Sequence, residues 1–212
     1  MCSSDLQGDR KMSVVKAIKN FINELPDDEI FTTRDLLPLS TSRSAVDVTT
    51  HRMIYLGLLK RLARGVFMKD IPNQRIPTVE EIAVIKARSF GKQIYQHGIN
   101  AAAEIGLIER KYYKRSRFHF YTNGCSSSFG AGQYRVRLKS VSNRKTNISA
   151  TDAGKLLKAI WHQGKYESIK LRNKALSIER KMNRLQKLEF RKEIRIMPAW
   201  LLEMFYPKLK RR

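Results

Sequence analysis

The chain has 212 residues and a mass of 24.6 kDa, with 42 Lys and Arg against 19 Asp and Glu, a formal net charge of +23 and an isoelectric point near 10.3. Hydrophobic residues at 42% and charged residues at 29% fit a folded protein of one or two domains and exclude a disordered or fibrous chain. No apolar run approaches the roughly 18 residues of a membrane-spanning helix. Residues 1–11 lack the apolar centre of a signal peptide, and two cysteines, Cys2 and Cys125, rule out a disulfide framework, so a cytoplasmic protein is expected.

A positive field of this size attracts polyanions. Its distribution is uneven: residues 12–70 carry a net +2, residues 71–150 carry +10, and residues 151–212 carry +11. Residues 1–11 are polar, patternless and read as a disordered extension, with Met12 an alternative start. In residues 13–25, Val14, Ile18, Phe21, Ile22 and Leu25 recur at helical spacing behind a Ser13 cap, and Pro26 stops the helix. Glu29-Ile30-Phe31 is extended. Thr32 or Thr33 caps a brief helix at residues 34–37, stopped by Pro38.

A third helix is predicted over residues 43–56, closed by Gly57, with Val46, Thr50, Met53 and Ile54 inward and Arg43, Ser44, Asp47, Val48, His51, Arg52 and Tyr55 outward. Two apolar runs flank Ala63-Arg64-Gly65, a hairpin signal. Helix, short strand, helix, helix, hairpin is the order of a winged helix-turn-helix. Pro72 and Pro77 mark a linker at residues 71–78, followed by a Thr78-capped helix with Glu80 and Glu81 in its first turn. A strand at residues 92–96 and a short helix at residues 100–106 follow.

Residues 107–147 hold ten Lys and Arg against one Glu and alternate polar with apolar in Phe-His-Phe-Tyr-Thr and Gln-Tyr-Arg-Val-Arg-Leu-Lys-Ser-Val. Antiparallel strands are expected, joined by a loop at residues 123–132, with Arg135, Arg137 and Lys139 on one face. Beyond Thr151, one helix to about Trp161, a long charged helix at residues 167–191 with Leu171, Ile178, Met182 and Leu185 along one side, a last helix after Met197-Pro198, and a basic tail complete the pattern. The fold class is therefore α+β: an N-terminal winged helix-turn-helix at residues 12–70, then a mixed domain at residues 79–206 with a small antiparallel sheet and C-terminal helices, and a tail at 207–212.

Four pieces stand in a familiar order: the hairpin ending Ala63-Arg64-Gly65-Val66-Phe67, Thr122-Asn123-Gly124, the basic strand at residues 134–139, and Met197-Pro198-Ala199-Trp200. In these the chain resembles AbiEi-type antitoxins, the transcriptional-regulator antitoxins of type IV toxin–antitoxin systems. It departs from them after Gly124, where Cys125-Ser126-Ser127 replaces Pro-Ser-Arg, and at Phe67, where the family often has Tyr. The resemblance implies a DNA-binding repressor of its own operon. It also implies a functional antagonist of a nucleotidyltransferase-like toxin, acting without a stable complex.

On the residues alone, Ser42, Arg43, Ser44, Val48, His51 and Arg52 suit a major groove. Arg bonds guanine bidentately, Ser bonds several base edges, and Val touches a thymine methyl. Asp47 either accepts from cytosine or pairs with Arg43 four residues earlier. Lys60, Arg61, Arg64 and Lys69 would reach phosphates or the minor groove from the hairpin, with Arg61 and Arg64 the favoured contacts and Lys60 and Lys69 weighed as mere decoration of it. Arg135, Arg137 and Lys139 form a second basic surface without the stacking aromatics of an RNA-reading sheet.

The alternative to each is a solvated face. Enzymatic motifs are absent: His51, His97, His119 and His162 have no metal-ligand spacing, there is no P-loop or nucleophile elbow, and Cys125 reads as incidental. Trp161 and Trp200 read as core, and no cofactor is expected. Two functions survive: the autorepressing antitoxin bound to double-stranded DNA at its own promoter, and a basic RNA- or ribosome-associated protein using the winged helix as an adaptor. The first is the reading adopted, and the charge lying behind the winged helix is the best argument for the second.

Overall fold

The computed structural model describes residues 13–109 and 117–207, so the extension at residues 1–11, Met12 and the tail beyond Pro207 lie outside the described residues. The chain mixes α and β structure and divides into two compact units, one ending at Phe90 and one beginning at Gly91. Among the described residues no helix is long and apolar enough to cross a membrane.

In the first unit, α1 (Val14–Glu24) starts at Ser13, whose Oγ accepts the Lys16 N–H at 3.3 Å. Its stripe buries Ala17, Ile18 and Ile22, and Val14, Phe21 and Leu25 pack at the edge. Strand β1 (Phe31–Thr32) runs straight into α2 (Thr33–Leu36). Asp35 makes that junction sharp, because its carboxylate accepts both the backbone N–H and the hydroxyl of Thr32, at 2.7 and 2.9 Å. A 3-10 turn at Leu37–Leu39 leads to α3 (Arg43–Tyr55), which ends as Gly57 takes a positive φ of 68°.

Strands β2 (Leu59–Ala63) and β3 (Val66–Lys69) form a hairpin, and β1 pairs antiparallel with the far side of β3. Ile18, Leu36, Val46, Met53, Leu59 and Phe67 close around Phe31, whose ring lies 6.0 Å from Phe21 and 5.9 Å from Phe67. Residues 71–78 carry no regular structure. The helix after them, α4 (Val79–Arg88), belongs to the first unit, because it packs on β1 and β3. The division thus falls one helix later than the Pro-rich stretch suggests.

The second unit orders its strands β6-β7-β5-β4, with β4 (Ile94–Gln96), β5 (Arg117–Thr122), β6 (Ser127–Ala131) and β7 (Tyr134–Ser140). Two expectations are corrected here. The segment expected as a loop at residues 123–132 contains β6, which forms an antiparallel hairpin with β7 around Gly132. Strands β5 and β7 run parallel, not antiparallel, because β6 takes up the reversal between them.

Helix α5 (Gly98–Glu104) packs on α7 (Asp152–Gln163) after the single-turn α6 (Asn143–Thr146). The single charged helix expected at residues 167–191 is two, α8 (Lys165–Lys181) and α9 (Arg184–Ile194). Met182 is extended and Asn183 starts a new helix in a reciprocal cap with Gln186, at 2.9 and 3.0 Å. The break explains Leu185, which is 76% exposed and not part of an inner stripe.

Helix α10 (Ala199–Phe205) starts at Pro198. The core of this unit gathers Leu107, Ile148, Leu156, Leu157, Ile160, Phe190, Ile194, Met197 and Leu201, with Trp161 and Trp200 half-buried at its margin.

The α5–α7 contact is close enough to need Gly98. A Cβ there would sit 2.3 Å from the His162 Cβ and 2.6 Å from the Lys158 carbonyl oxygen. Gly98→Ala is expected to lower the stability of the second unit by about 1–3 kcal/mol. Both tryptophans of the chain lie in this unit. A urea titration followed by tryptophan fluorescence reads the effect; an unchanged midpoint would show that α5 and α7 can separate without cost.

Candidate nucleic-acid interface

Helix α3 is held rigidly at its start. The Ser42 Oγ caps it by accepting the Ala45 N–H at 3.3 Å, and the Ser40 hydroxyl brackets Ser42 by bonding its N–H and carbonyl, each at 3.1 Å. Val46, Thr49, Thr50 and Met53 face the core, and the Thr50 hydroxyl returns its hydrogen bond to the Val46 carbonyl at 2.7 Å. The opposite face is bare: Arg43, Ser44, Asp47, Val48, His51, Arg52 and Tyr55 are all exposed. Asp47 pairs with Arg43, Nε to Oδ2 at 3.6 Å, in an i,i+4 contact with both side chains largely in solvent, which makes it weak.

The hairpin turn is two residues, Arg64 and Gly65. Gly65 takes φ 74°, its carbonyl accepts the Thr33 N–H at 3.1 Å, and a Cβ would press on the Thr33 Oγ1 at 3.2 Å. The register slips between Arg61 and Ala63, so Leu62 and Ala63 are both buried while Lys60 and Arg61 both stay exposed. Arg64 projects exposed from the tip. Lys69 is not a free cation: its Nζ donates to the Leu25 carbonyl at 2.7 Å and to the Asp27 carboxylate at 3.0 Å, tying β3 to the end of α1.

Three residues at this tip carry no sequence signal that singles them out. Lys86 of α4 donates from Nζ to the Arg64 carbonyl. The Arg34 guanidinium stacks 4.8 Å from the centre of the Phe90 ring, with the Lys86 ammonium 5.9 Å from it. Burial, then the charges of Arg64 and Arg61, push Lys86 below the usual lysine range. Arg34, Arg61, Arg64 and Lys86 therefore form a crowded cationic group.

On the second unit, Val136 and Leu138 of β7 are buried while Arg135, Arg137 and Lys139 are exposed, as the alternation requires. The parallel pairing sets Arg117, His119 and Tyr121 opposite these three, in register. One sheet face thus carries Arg117, His119, Tyr121, Arg135, Arg137 and Lys139.

Against this face the fold assembles a group that sequence spacing hides. His97, the cap of α5, lies 4.4 Å from Tyr121, 4.5 Å from His162 and 5.4 Å from His119, ring centre to ring centre. The Tyr121 hydroxyl and His162 Nδ1 are 3.2 Å apart. Lys145 of α6 places its ammonium 4.8 Å from the Trp161 ring and 5.5 Å from the Tyr121 ring, and the Arg144 guanidinium lies 5.6 Å from the Trp161 ring. The three histidines come from an α5 cap, β5 and α7, separated by 22 and 43 residues, so only tertiary structure joins them. Among the described residues no three His, Cys, Asp or Glu side chains are arranged to hold a metal ion.

The pieces that carry the family resemblance have local structural tasks. Asn123 Oδ1 accepts the Gln93 N–H at 2.9 Å, Thr122 Oγ1 accepts the Gly124 N–H at 3.3 Å, and Gly124 leaves room for the Lys92 side chain, which a Cβ would meet at 2.7 Å. Lys92 then donates to the carbonyl of the exposed Cys125 at 2.9 Å.

His97 is buried, and its Nδ1 accepts the Ile99 N–H at 3.3 Å, which leaves the ring hydrogen on Nε2. Burial, followed by the neighbouring His162, His119, Lys139 and Lys145, pushes it down to about 3, and burial lowers His119 and His162 as well. An unfolded histidine protonates near about 6.5. Between these values the unfolded chain binds more protons, so the contribution is complete above about pH 6.5 and is lost as pH falls toward 3. The second unit is expected to lose stability between about pH 7 and pH 4 in tryptophan-monitored urea titrations. His97→Asn keeps a capping acceptor and is expected to flatten that fall. An equally steep fall in the variant would place the titration elsewhere.

No family model matches the chain, and no curated protein is significantly similar to it, which leaves this geometry as the ground for a function.

Proposed function

We propose that the first unit is a winged helix that reads double-stranded DNA, with α3 in the major groove and the β2–β3 hairpin on the adjacent backbone. The observation that carries this is the presence in one unit of a bare, capped α3 face and a cationic hairpin tip. The element order and the strand order β1-β3-β2 support the same reading. Arg43 and Arg52 are the base-reading candidates, with Ser42, Ser44, Val48 and His51 around them, and Lys60, Arg61 and Arg64 fix the register on phosphates.

With the resemblance to AbiEi-type antitoxins, this gives a non-enzymatic, autorepressing antitoxin of a type IV toxin–antitoxin operon. It acts in the cytoplasm, binds its own promoter and antagonises a nucleotidyltransferase-like toxin without a stable complex. The second reading, an RNA- or ribosome-associated protein, draws on one observation: the first unit through Phe90 holds a net +3 and the rest of the chain +20.

A footprint on the DNA upstream of the gene tests the proposal directly. Arg43→Ala and Arg52→Ala are each expected to weaken cognate binding by about 1–3 kcal/mol and to leave scrambled DNA nearly unaffected. Cognate binding equal to wild type in both would remove α3 as the reader.

Asp47→Asn separates the two roles of Asp47. If the carboxylate only holds Arg43, the variant binds all DNA more tightly; if it accepts from cytosine, discrimination falls by about 1–3 kcal/mol at one base pair.

The charge asymmetry predicts a division of labour. Replacing Arg135, Arg137 and Lys139 together by Glu is expected to weaken every DNA sequence about equally. It should also reduce the log–log salt slope, by about 0.9 for each phosphate that is no longer neutralised. Normal promoter binding with failure to protect cells from the neighbouring toxin would instead assign that face to RNA or to the toxin's substrate.

A further inference from the structure

The strongest unassigned feature is the corner where β5, β7, α6 and α7 meet. It collects His119, Tyr121, Lys139, Lys145 and His162 beside the buried His97. We propose that this corner is a phosphate site for a nucleic-acid backbone, in which Lys145 and Lys139 receive one phosphodiester between His119 and His162, with the buried Tyr121 ring as its floor. The site does not depend on what the first unit reads.

The composition of the corner points to an anion. The charged and titratable groups around it are Arg117, His119 and Tyr121 on β5, Arg135, Arg137 and Lys139 on β7, Arg144 and Lys145 on α6, His162 with Lys155 and Lys158 on α7, and Tyr95 on β4. The carboxylates nearby serve the α7 lysines: Glu104 of α5 accepts from Gln96 at 2.8 Å and pairs with Lys155 at 3.1 Å, Asp152 lies 3.8 Å from the same Lys155, and Glu193 of α9, which accepts the Ser149 N–H at 3.0 Å, acts on Lys158. Burial is the first cause that lowers His119, His162 and Lys145, and the charges that add to it are those of Arg117, Arg137, Lys139, Lys145 and His119, every one of them basic. Each cation therefore makes its neighbours harder to charge, a cost that a bound phosphate would reverse.

The rings sit where they serve such a site. Lys145 is held between the Trp161 and Tyr121 rings, which orient its ammonium without neutralising it. His97 is kept uncharged by burial, then by the neighbouring His162, His119, Lys139 and Lys145, while its bond to Ile99 fixes the ring, so it supports His119 and His162 without competing for protons. A phosphodiester keeps one negative charge across the range in which histidines titrate, so any pH dependence belongs to the protein. Binding then favours the protonated imidazoles, and affinity rises as pH falls.

The full chain, titrated by NMR through its four histidine ring signals, tests this with a uridine dodecamer and with a duplex of arbitrary sequence at constant ionic strength. Binding is expected to move the His119 and His162 signals toward their protonated positions at about pH 6.5 and to leave His97 unmoved. Affinity for the probe should rise about tenfold between about pH 7.5 and pH 5.5. His119→Gln is expected to remove most of that rise, and Lys145→Met to weaken binding at both pH values, with tryptophan fluorescence confirming that each variant is folded.

Response to the dodecamer alone assigns the site to RNA, and response to the duplex alone or to both assigns it to DNA backbone or to either. If His119 and His162 are unmoved by both probes, or folded His119→Gln keeps the full pH dependence, the site is overturned. A response confined to His51 would uphold α3 as a nucleic-acid contact and overturn this corner, so the two readings fail separately.

Discussion

The second unit depends on the placement of β7. That strand is bonded on both sides, antiparallel to β6 and parallel to β5, so its alternation is imposed on the whole sheet. Val136 and Leu138 are buried on one side, and burial of two aliphatic side chains, at about 1.5–3 kcal/mol each, outweighs any tendency of the strand to shift by one residue. A one-residue slip would bury Arg135, Arg137 and Lys139, each an unpaired charge. The basic face is therefore a consequence of register, and Arg117, His119 and Tyr121 join it because β5 is paired in step.

The first unit is organised differently. Its α3 uses one face for the core and keeps the other unencumbered, and its charge is small. Its cations are concentrated by architecture: the Gly65 turn brings Arg64 out, the slip before Ala63 keeps Lys60 and Arg61 exposed together, and α4 adds Lys86 beneath. A near-neutral unit with a locally dense cationic tip is suited to positioning on phosphates while leaving selectivity to α3.

Electrostatics and folding meet in the histidine group. Three imidazoles among lysines and arginines are stable at neutral pH because burial keeps them uncharged, His97 most strongly. The arrangement is tolerated only while the rings stay neutral or an anion is present. That links the proton balance of the second unit to whatever occupies its basic face.

Short-range signals in the sequence determined much of this protein. Ser13, Thr78 and Thr151 start helices where a capping side chain meets an apolar stripe, Gly57 and Gly65 turn where φ must be positive, and the alternation at residues 134–139 sorts in from out. The exposed faces of α3 and β7 were legible for the same reason: a helix or strand period fixes which side chains share a face. The Asn183–Gln186 cap that divides α8 from α9 was also present in the sequence, but charged helical periodicity on both sides masks it. Tertiary structure alone decided the parallel pairing of β5 with β7, the attachment of α4 to the first unit, the gathering of Arg34, Lys86 and Phe90 at the hairpin, and the meeting of His97, His119 and His162. Each joins residues far apart in the chain. It is set by which apolar faces find one another, and no local period records that.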